Sequence, residues 1–264
     1  MNKNKPIGIF DAGIGGLTTL AEMQKLLPNE DIIYIGDSAN HPYGNRPPDE
    51  ILRMVKFIIK FLEKNEVKVA AVACNTFSTF VDQYGKEFPF PFVTVTEPIV
   101  PYVASLGIKK IGVIATVTTI NKQAHEKLIH AADPSIEVFG QGSKWLAKLI
   151  DPGTFDIVEI DREIKADMGE LLSKADLTHV ILGCTHYPIV TDRFQHLYPG
   201  ITFIDPAYAQ ASATKELLEN NNAFNPQKKK GRVTICTTGD PAVSEKIMSL
   251  LSNQPADEIL KVTL

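Results

Sequence analysis

Short apolar runs of strand length alternate along the chain with segments of helical periodicity, the pattern of parallel strands covered by helices. Four runs occupy the first hundred residues: Ile7 to Phe10, Ile32 to Gly36, Val69 to Cys74 and Val93 to Pro98. Four more follow in the same order, Ile111 to Ile114, Ile136 to Gly140, Val180 to Cys184 and Thr202 to Pro206. Gly112 lies 104 residues after Gly8, Gly140 lies 104 after Gly36, Cys184 lies 110 after Cys74 and Pro206 lies 108 after Pro98. Offsets this constant predict a duplicated α/β unit, although buried strands resemble one another enough to contribute part of the match.

Punctuation residues place the helices between these strands. Gly15-Gly16 opens one that carries Leu17, Leu20, Met23 and Leu27 and stops at Pro28. Pro48-Asp49-Glu50 starts another with Ile51, Val55, Ile58 and Leu62, proline and acids being favoured in a first turn. In the second half Asn121 is expected to precede a helix with Leu128 and Ile129, and Asp161 one with Ile164, Met168 and Leu171. Beyond Pro206, a helix near 209–218, the strand Val233 to Cys236 and a helix near 243–251 fall outside the repeat and are expected to pack back on one of the halves.

Composition narrows the class. With 264 residues, 44% hydrophobic and 22% charged, the chain has material for one large or two modest globular domains. Its formal charge is −4 and its one basic run, Lys228 to Lys230, lacks interleaved aromatics, so a nucleic-acid partner is not expected. No stretch reaches the roughly 18 apolar residues of a membrane span, and Met1 to Pro6 leads into a strand without a signal-like apolar region. A cytoplasmic protein is the expectation. The three cysteines, 74, 184 and 236, form neither a disulfide framework nor a Cys-x-x-Cys metal pair, and are read as free thiols.

Two of these thiols carry the candidate chemistry. Cys74-Asn75-Thr76 and Gly183-Cys184-Thr185-His186 stand at the carboxyl ends of equivalent strands, the edge at which open parallel sheets bind ligands. If the halves face one another about a pseudo-twofold axis, the two thiols flank one ligand from opposite sides. Inversion at a carbon acid fits that arrangement, because one group must take a proton from one face while another returns one to the other. A thiol titrates near 8.5 and is readily tuned. Asn75, Thr76 and Thr185 are candidates for binding a carboxylate, and Asp11 and His186 for tuning or relaying protons.

Five segments in register then mark a resemblance: Ile7 to Leu17, Gly36 to Ala39 with Pro42-Tyr43-Gly44, Ala73 to Thr76, Leu182 to Pro188 and Thr237 to Asp240. Over nearly the whole chain these resemble the bacterial glutamate racemases of the aspartate/glutamate racemase superfamily. The resemblance implies interconversion of L- and D-glutamate for peptidoglycan, with no pyridoxal phosphate or metal. It implies Cys74 and Cys184 as acid/base residues assisted by Asp11 and His186, with Asp11, Ala12, Tyr43, Gly44, Asn75, Thr76, Thr185 and His186 contacting substrate. It also implies two flavodoxin-like domains, residues 1–97 with 208–264 and residues 98–207, an active site between them, and a homodimer. Ala12 stands where the family commonly has serine, Asn40 where it commonly has arginine, and Gln141 to Asp151 differs from the family's Cys-Pro to Pro-Leu-Val-Glu stretch. These departures bear on substrate choice, and a related racemase acting on another amino acid stays open.

Other readings weigh less. Gly13-x-Gly15-Gly16 lacks the full dinucleotide spacing, and is either a tight strand-to-helix turn or one that presents amides to a carboxylate. A cysteine hydrolase built on Cys184 and His186 leaves Cys74 unexplained, and a zinc site on Cys74, Cys184 and His186 removes the free thiol pair. A non-catalytic two-lobed binding module needs no cysteine on each lobe. Cys236 is read as core, and His41, His125, His130, His179 and His196 as surface or satisfied residues.

Overall fold

The computed structural model describes residues 1–264, and the eight apolar runs form eight strands of two sheets. The first half runs β1 (Ile7–Asp11), α1 (Leu17–Leu26), β2 (Ile32–Gly36), α2 (Pro48–Lys64), β3 (Val69–Val72), the short α3 (Asn75–Ser78) and α4 (Val81–Tyr84), and β4 (Phe92–Thr94). After α5 (Val100–Ser105) come β5 (Lys110–Thr116), α6 (Val117–Asn121), α7 (Ala124–Ala132), β6 (Glu137–Ser143) and α8 (Leu146–Ile150). Then follow α9 (Ile157–Lys174), β7 (His179–Gly183), α10 (Thr191–Leu197) and β8 (Thr202–Ile204). The chain closes with α11 (Ala207–Asn220), β9 (Val233–Thr237), α12 (Pro241–Leu251) and β10 (Glu258–Lys261).

Strand order repeats as the sequence does. One sheet is ordered β10-β9-β2-β1-β3-β4 and the other β6-β5-β7-β8, with every pairing parallel. Without β9 and β10, both read second, first, third, fourth, the doubly wound order that reverses direction beside the first strand. Gly8 is flanked by Ile33 and Ala70, and Gly112 by Phe139 and Val180. Both glycines let a helix end come close: a Cβ on Gly8 would lie 3.1 Å from Leu62 Cδ1, and one on Gly112 3.1 Å from Leu171 Cδ2. The duplication therefore extends from spacing to packing.

Alternation sorts each buried strand onto two faces. In the first sheet Ile7, Ile9, Ile32, Tyr34, Val69 and Ala71 join one cluster, with Leu17 and Leu20 of α1. Phe10, Ile35, Ala70 and Val72 join the other, with Ile51, Val55, Ile58 and Leu62 of α2. Each Val, Leu, Ile or Phe side chain so withdrawn from water stabilises the fold by about 1.5–3 kcal/mol. The C-terminal segment belongs to the same core, since Ala211, Leu218, Val233, Ile235, Ile247 and Met248 pack in the α1 cluster. Cys236 is buried among the α2 cluster, and Lys228 to Lys230 are exposed. No helix is long and apolar enough to cross a membrane.

Some boundaries differ from those read in the sequence. Asn121 closes α6, whose own cap is Thr116, its hydroxyl accepting from the Thr119 amide; the helix with Leu128 and Ile129 starts at Ala124, after Gln123, which makes no side-chain cap. Asp161 lies inside α9, whose cap is Asp156 bonding the Val158 and Glu159 amides. A capping side chain outweighs a mid-helix acid as a start signal. β10, half exposed and at the edge of its sheet, was not anticipated, because its short Glu258–Lys261 run has two charged ends.

Candidate functional site

The carboxyl edges of the two sheets face each other across one cleft of about 450 Å³. Asp11 ends β1, Cys74 lies just past β3, Thr116 ends β5 and Cys184 follows β7 directly. All four line this cleft, with Ala12, Tyr43, Gly44, Asn75, Thr76, Thr185 and His186. Every residue singled out from the sequence as catalytic or substrate-contacting is thus brought to a single place. The polypeptide reaches it from both halves, so the site exists only when the halves are apposed.

The Cys74 wall is hydrophobic and negatively biased. Cys74 caps α3 and is buried among the α2 cluster. Burial, then the Asp11 carboxylate, push its thiol well above the ordinary range, against the Phe77 and Thr76 amides that favour the thiolate. Asp11 is fully buried; its Oδ1 accepts from the Gly13 amide at 2.9 Å and its Oδ2 from the Thr185 hydroxyl of the opposite half at 3.0 Å. Burial raises the Asp11 pKa, with His186 and these hydrogen bonds opposing.

The Cys184 wall carries a cation. His186 Nδ1 lies 3.9 Å from the Cys184 sulfur, and its Nε2 lies 2.9 Å from Asp151 Oδ1. Burial works against charge on this imidazole, but the Asp151 hydrogen bond and then Cys184 outweigh it and lift His186 to about 10. Asp151 moves down in turn: burial raises it, but the His186 hydrogen bond prevails. The imidazole is consequently protonated at neutral pH and faces the sulfur as a donor.

Polar groups between the walls come from both halves. Asn75 is buried with neither Nδ2 nor Oδ1 partnered by protein; such a group costs about 1–3 kcal/mol unless something bonds it, so its amide is disposed toward a ligand. Thr76 Oγ1 lies 2.9 Å from Thr116 Oγ1 across the cleft, and the Gly44 carbonyl accepts from the Thr118 hydroxyl at 2.8 Å. Tyr43 is buried with its hydroxyl on Asp37, so it offers the cleft its ring. Asn40 bonds Asp37 as well and does not line the cleft, whereas Ala12, Ser143, Lys144 and Ala147 do. Of the departures from the family pattern, those at Ala12 and in the 141–151 stretch reach the cleft.

The glycine turn after β1 has a local explanation. A Cβ on Gly15 would sit 2.4 Å from Thr185 Oγ1, and one on Gly13 2.2 Å from Asp151 Oδ1. The turn does present an amide to a carboxylate, and the carboxylate is the protein's own: Ile14 N–H donates to Asp151 at 3.2 Å.

His41, Asp151 and His186 place three potential ligand atoms within 4.8 Å of one another. The two rings are stacked, with centroids 4.5 Å apart and planes 27° apart. Imidazole lone pairs lie in the ring plane, so the pair runs side by side instead of converging on one ion at bonding distances of about 2.0–2.1 Å. As placed, the cluster is a hydrogen-bonded one.

Comparison with known proteins decides the lineage. Residues 17–214 match the family model described as Asp/Glu/Hydantoin racemase. A glutamate racemase of Herpetosiphon aurantiacus is 36% identical over 251 residues, 94% of this chain and 98% of its own. "Glutamate racemase 1" of Caldanaerobacter subterraneus subsp. tengcongensis is 32% identical over 265 residues, covering 100% and 98%. This chain belongs to the Asp/Glu/hydantoin racemase family. Among solved structures, the glutamate racemase isoform RacE1 of Bacillus anthracis superposes with TM-score 0.90 at 29% identity, over 100% of this chain and 99% of that one. The glutamate racemase of Francisella tularensis subsp. tularensis, solved with D-glutamate, gives 0.87 at 32% identity, over 99% and 98%.

Within this racemase-family site, two residues, His41 and Asp151, have no role assigned from the sequence. His41 was read as surface or satisfied, but its side chain is only 6% exposed, stacks on His186 and approaches Asp151. His125, read likewise, is buried with Nε2 unpartnered, but it lies outside this cleft, beside Val113 and Ile120. Asp151 lay at the end of a stretch noted only for differing from the family. Nothing local in the sequence marks it, and only the fold brings it to His186.

Proposed function

We propose that this chain is a glutamate racemase that interconverts L- and D-glutamate through two thiols, with neither pyridoxal phosphate nor a metal, and supplies D-glutamate for peptidoglycan. The observation that carries the reading is the placement of Cys74 and Cys184 at equivalent strand ends of two equivalent halves, lining one cleft. Family membership supports racemisation, and the named relatives, with a neighbour solved bound to D-glutamate, support glutamate.

In this mechanism the thiolate of one cysteine takes the α-proton, and the thiol of the other delivers a proton to the opposite face. The charged His186 imidazole lies 3.9 Å from the Cys184 sulfur and places a cation beside the base, while burial and Asp11 raise the Cys74 thiol, which serves as the acid. Turnover leaves the protons exchanged, which is the state the reverse direction uses. Negative charge developing at Cα passes into the α-carboxylate, where Asn75, Thr76 and Thr185 supply donors that strengthen as the charge builds. Lys144 is the one permanently cationic side chain in the lining, suited to the second carboxylate of an acidic amino acid.

The same reading assigns residues 1–97 with 208–264 to one domain and 98–207 to the other, hinged so that substrate enters between them. Pairing of two copies into a homodimer and residence in the cytoplasm, where free thiols persist, belong to it too. Incubation of the purified protein with single L-amino acids in deuterated water tests the activity. L-Glutamate acquires deuterium at Cα and converts to a racemic mixture. No exchange with any amino acid would overturn the racemase reading, and exchange with another amino acid but not glutamate would move the assignment to a relative of different specificity, as Ala12 and the 141–151 stretch allow.

A further inference from the structure

His41 is the residue whose placement the proposed chemistry leaves unexplained. It follows β2 in the first half, yet its side chain is buried against the second. Its ring stacks on His186 at 4.5 Å, and its Nδ1 lies 3.7 Å from Asp151 Oδ2. The other oxygen of that carboxylate, Oδ1, holds His186 Nε2 and the Ile14 amide. Oδ2 has no closer partner than His41. One carboxylate is thus divided between two histidines contributed by opposite sides of the cleft.

We propose that His41 is a positioning residue: stacked on His186 and with Nδ1 aimed at Asp151 Oδ2 from 3.7 Å, longer than a hydrogen bond, it confines the carboxylate and, through it, the imidazole that faces Cys184. A carboxylate hydrogen-bonded at one oxygen swings about its Cβ–Cγ bond unless a neighbour confines the other oxygen, and here the His41 ring lies against it. The plane of Asp151 sets where Nε2 of His186 is anchored, and hence the direction of Nδ1 toward sulfur.

The electrostatics fit this role. Three ionisable groups face His41: His186, Asp151 and Arg46. Burial first, then His186, bring His41 down to about 3, with Asp151 opposing and Arg46 adding to the fall. A neutral ring stacks against the His186 cation without repulsion, and a neutral imidazole has one N–H to place. Because His41 and His186 come from opposite halves, the contact depends on the halves being apposed, as the acid/base site itself does.

This inference rests on the glutamate racemase reading for its kinetic test, and a second measurement stands without it. In His41→Phe, which keeps a flat ring but no donor, kcat falls about tenfold while the KM for glutamate stays within about threefold, the level expected for a misaligned acid/base group. His41→Asn, whose side-chain amide places a donor near the former Nδ1, recovers most of that loss. A KM rise at unchanged kcat would make His41 a substrate contact, and equal losses in the two variants would reduce it to packing; either result overturns the proposal. Imidazole ¹⁵N spectra of the wild-type protein give the independent check. From pH 6 to 8 the proposal requires His41 neutral with the proton on Nδ1. A proton on Nε2, or a protonated ring, would sink it whether or not the protein racemises glutamate.

Discussion

The two cysteine walls of the cleft descend from one repeated unit and have opposite electrostatics. Cys74 and Cys184 stand at equivalent strand ends, and the residues after them, Asn75 and Thr185, are both polar and buried. The difference lies in one residue on each side. Asp11, at the end of β1, has Ala115 as its counterpart 104 residues on, and His186 has Thr76 as its counterpart 110 residues back. A carboxylate therefore raises the thiol of the first wall, and an imidazolium faces the sulfur of the second at 3.9 Å. Duplication supplies facing groups at low evolutionary complexity, but a symmetric pair of thiols would share one protonation state. A proton relay needs one of each, and single unrepeated residues make the distinction.

The largest break in this comparison is removal of either thiol. Serine keeps the shape of the side chain but titrates far above any working pH, so Cys74→Ser and Cys184→Ser should each lower racemisation at least about 10³-fold in both directions, at the upper end of what an acid/base group contributes. Racemisation is read by polarimetry or circular dichroism. A variant retaining wild-type turnover would show that its wall takes no part.

Replacing the anchor of the second wall is the next test. In Asp151→Asn the imidazole loses the main group that lifts its pKa, so kcat at neutral pH should fall about 10²-fold. The same change has a signature in stability. A histidine raised in the folded state from its ordinary 6.5 to about 10 stabilises fully below 6.5, and that contribution is lost as pH rises through about 10. Urea unfolding of the wild type should therefore weaken between these limits, and Asp151→Asn should show a flatter profile. An unchanged slope would mean that His186 is not held charged by Asp151.

What could be read in the sequence follows the same division. Strand order, the duplicated unit and the pairing of Cys74 with Cys184 were legible because periodicity and spacing are local properties repeated along the chain. Asp11 and His186 were legible because each stands within three residues of a strand end. Asp151 and His41 were not. Asp151 lies just past α8 and His41 in the loop after β2, and what gives them a role is contact across the cleft, between residues 110 positions apart in the chain. The helix starts at Asn121 and Asp161 were misplaced for a smaller version of the same reason: several polar residues compete as starts, and the backbone begins one helix after Gln123 and the other after Asp156.

The finest test leaves the thiols and the fold intact and alters only the bias of the first wall. Asp11→Asn removes a negative charge that raises Cys74 while keeping an oxygen for the Gly13 amide and a polar group for the Thr185 hydroxyl. A nearby charge moves a titration by about one to three pH units, and burial of Asp11 itself already reduces its ionised fraction, so the smaller figure applies. Alkylation by iodoacetamide as a function of pH, followed for each cysteine by peptide mass spectrometry, reads the two thiols separately. Half-reaction at Cys74 should move down by about one unit, with Cys184 little changed. If both curves shift together, the walls are coupled more strongly than their separate neighbours imply, and if neither shifts, burial alone holds Cys74 protonated and Asp11 serves only to tie the halves through Thr185.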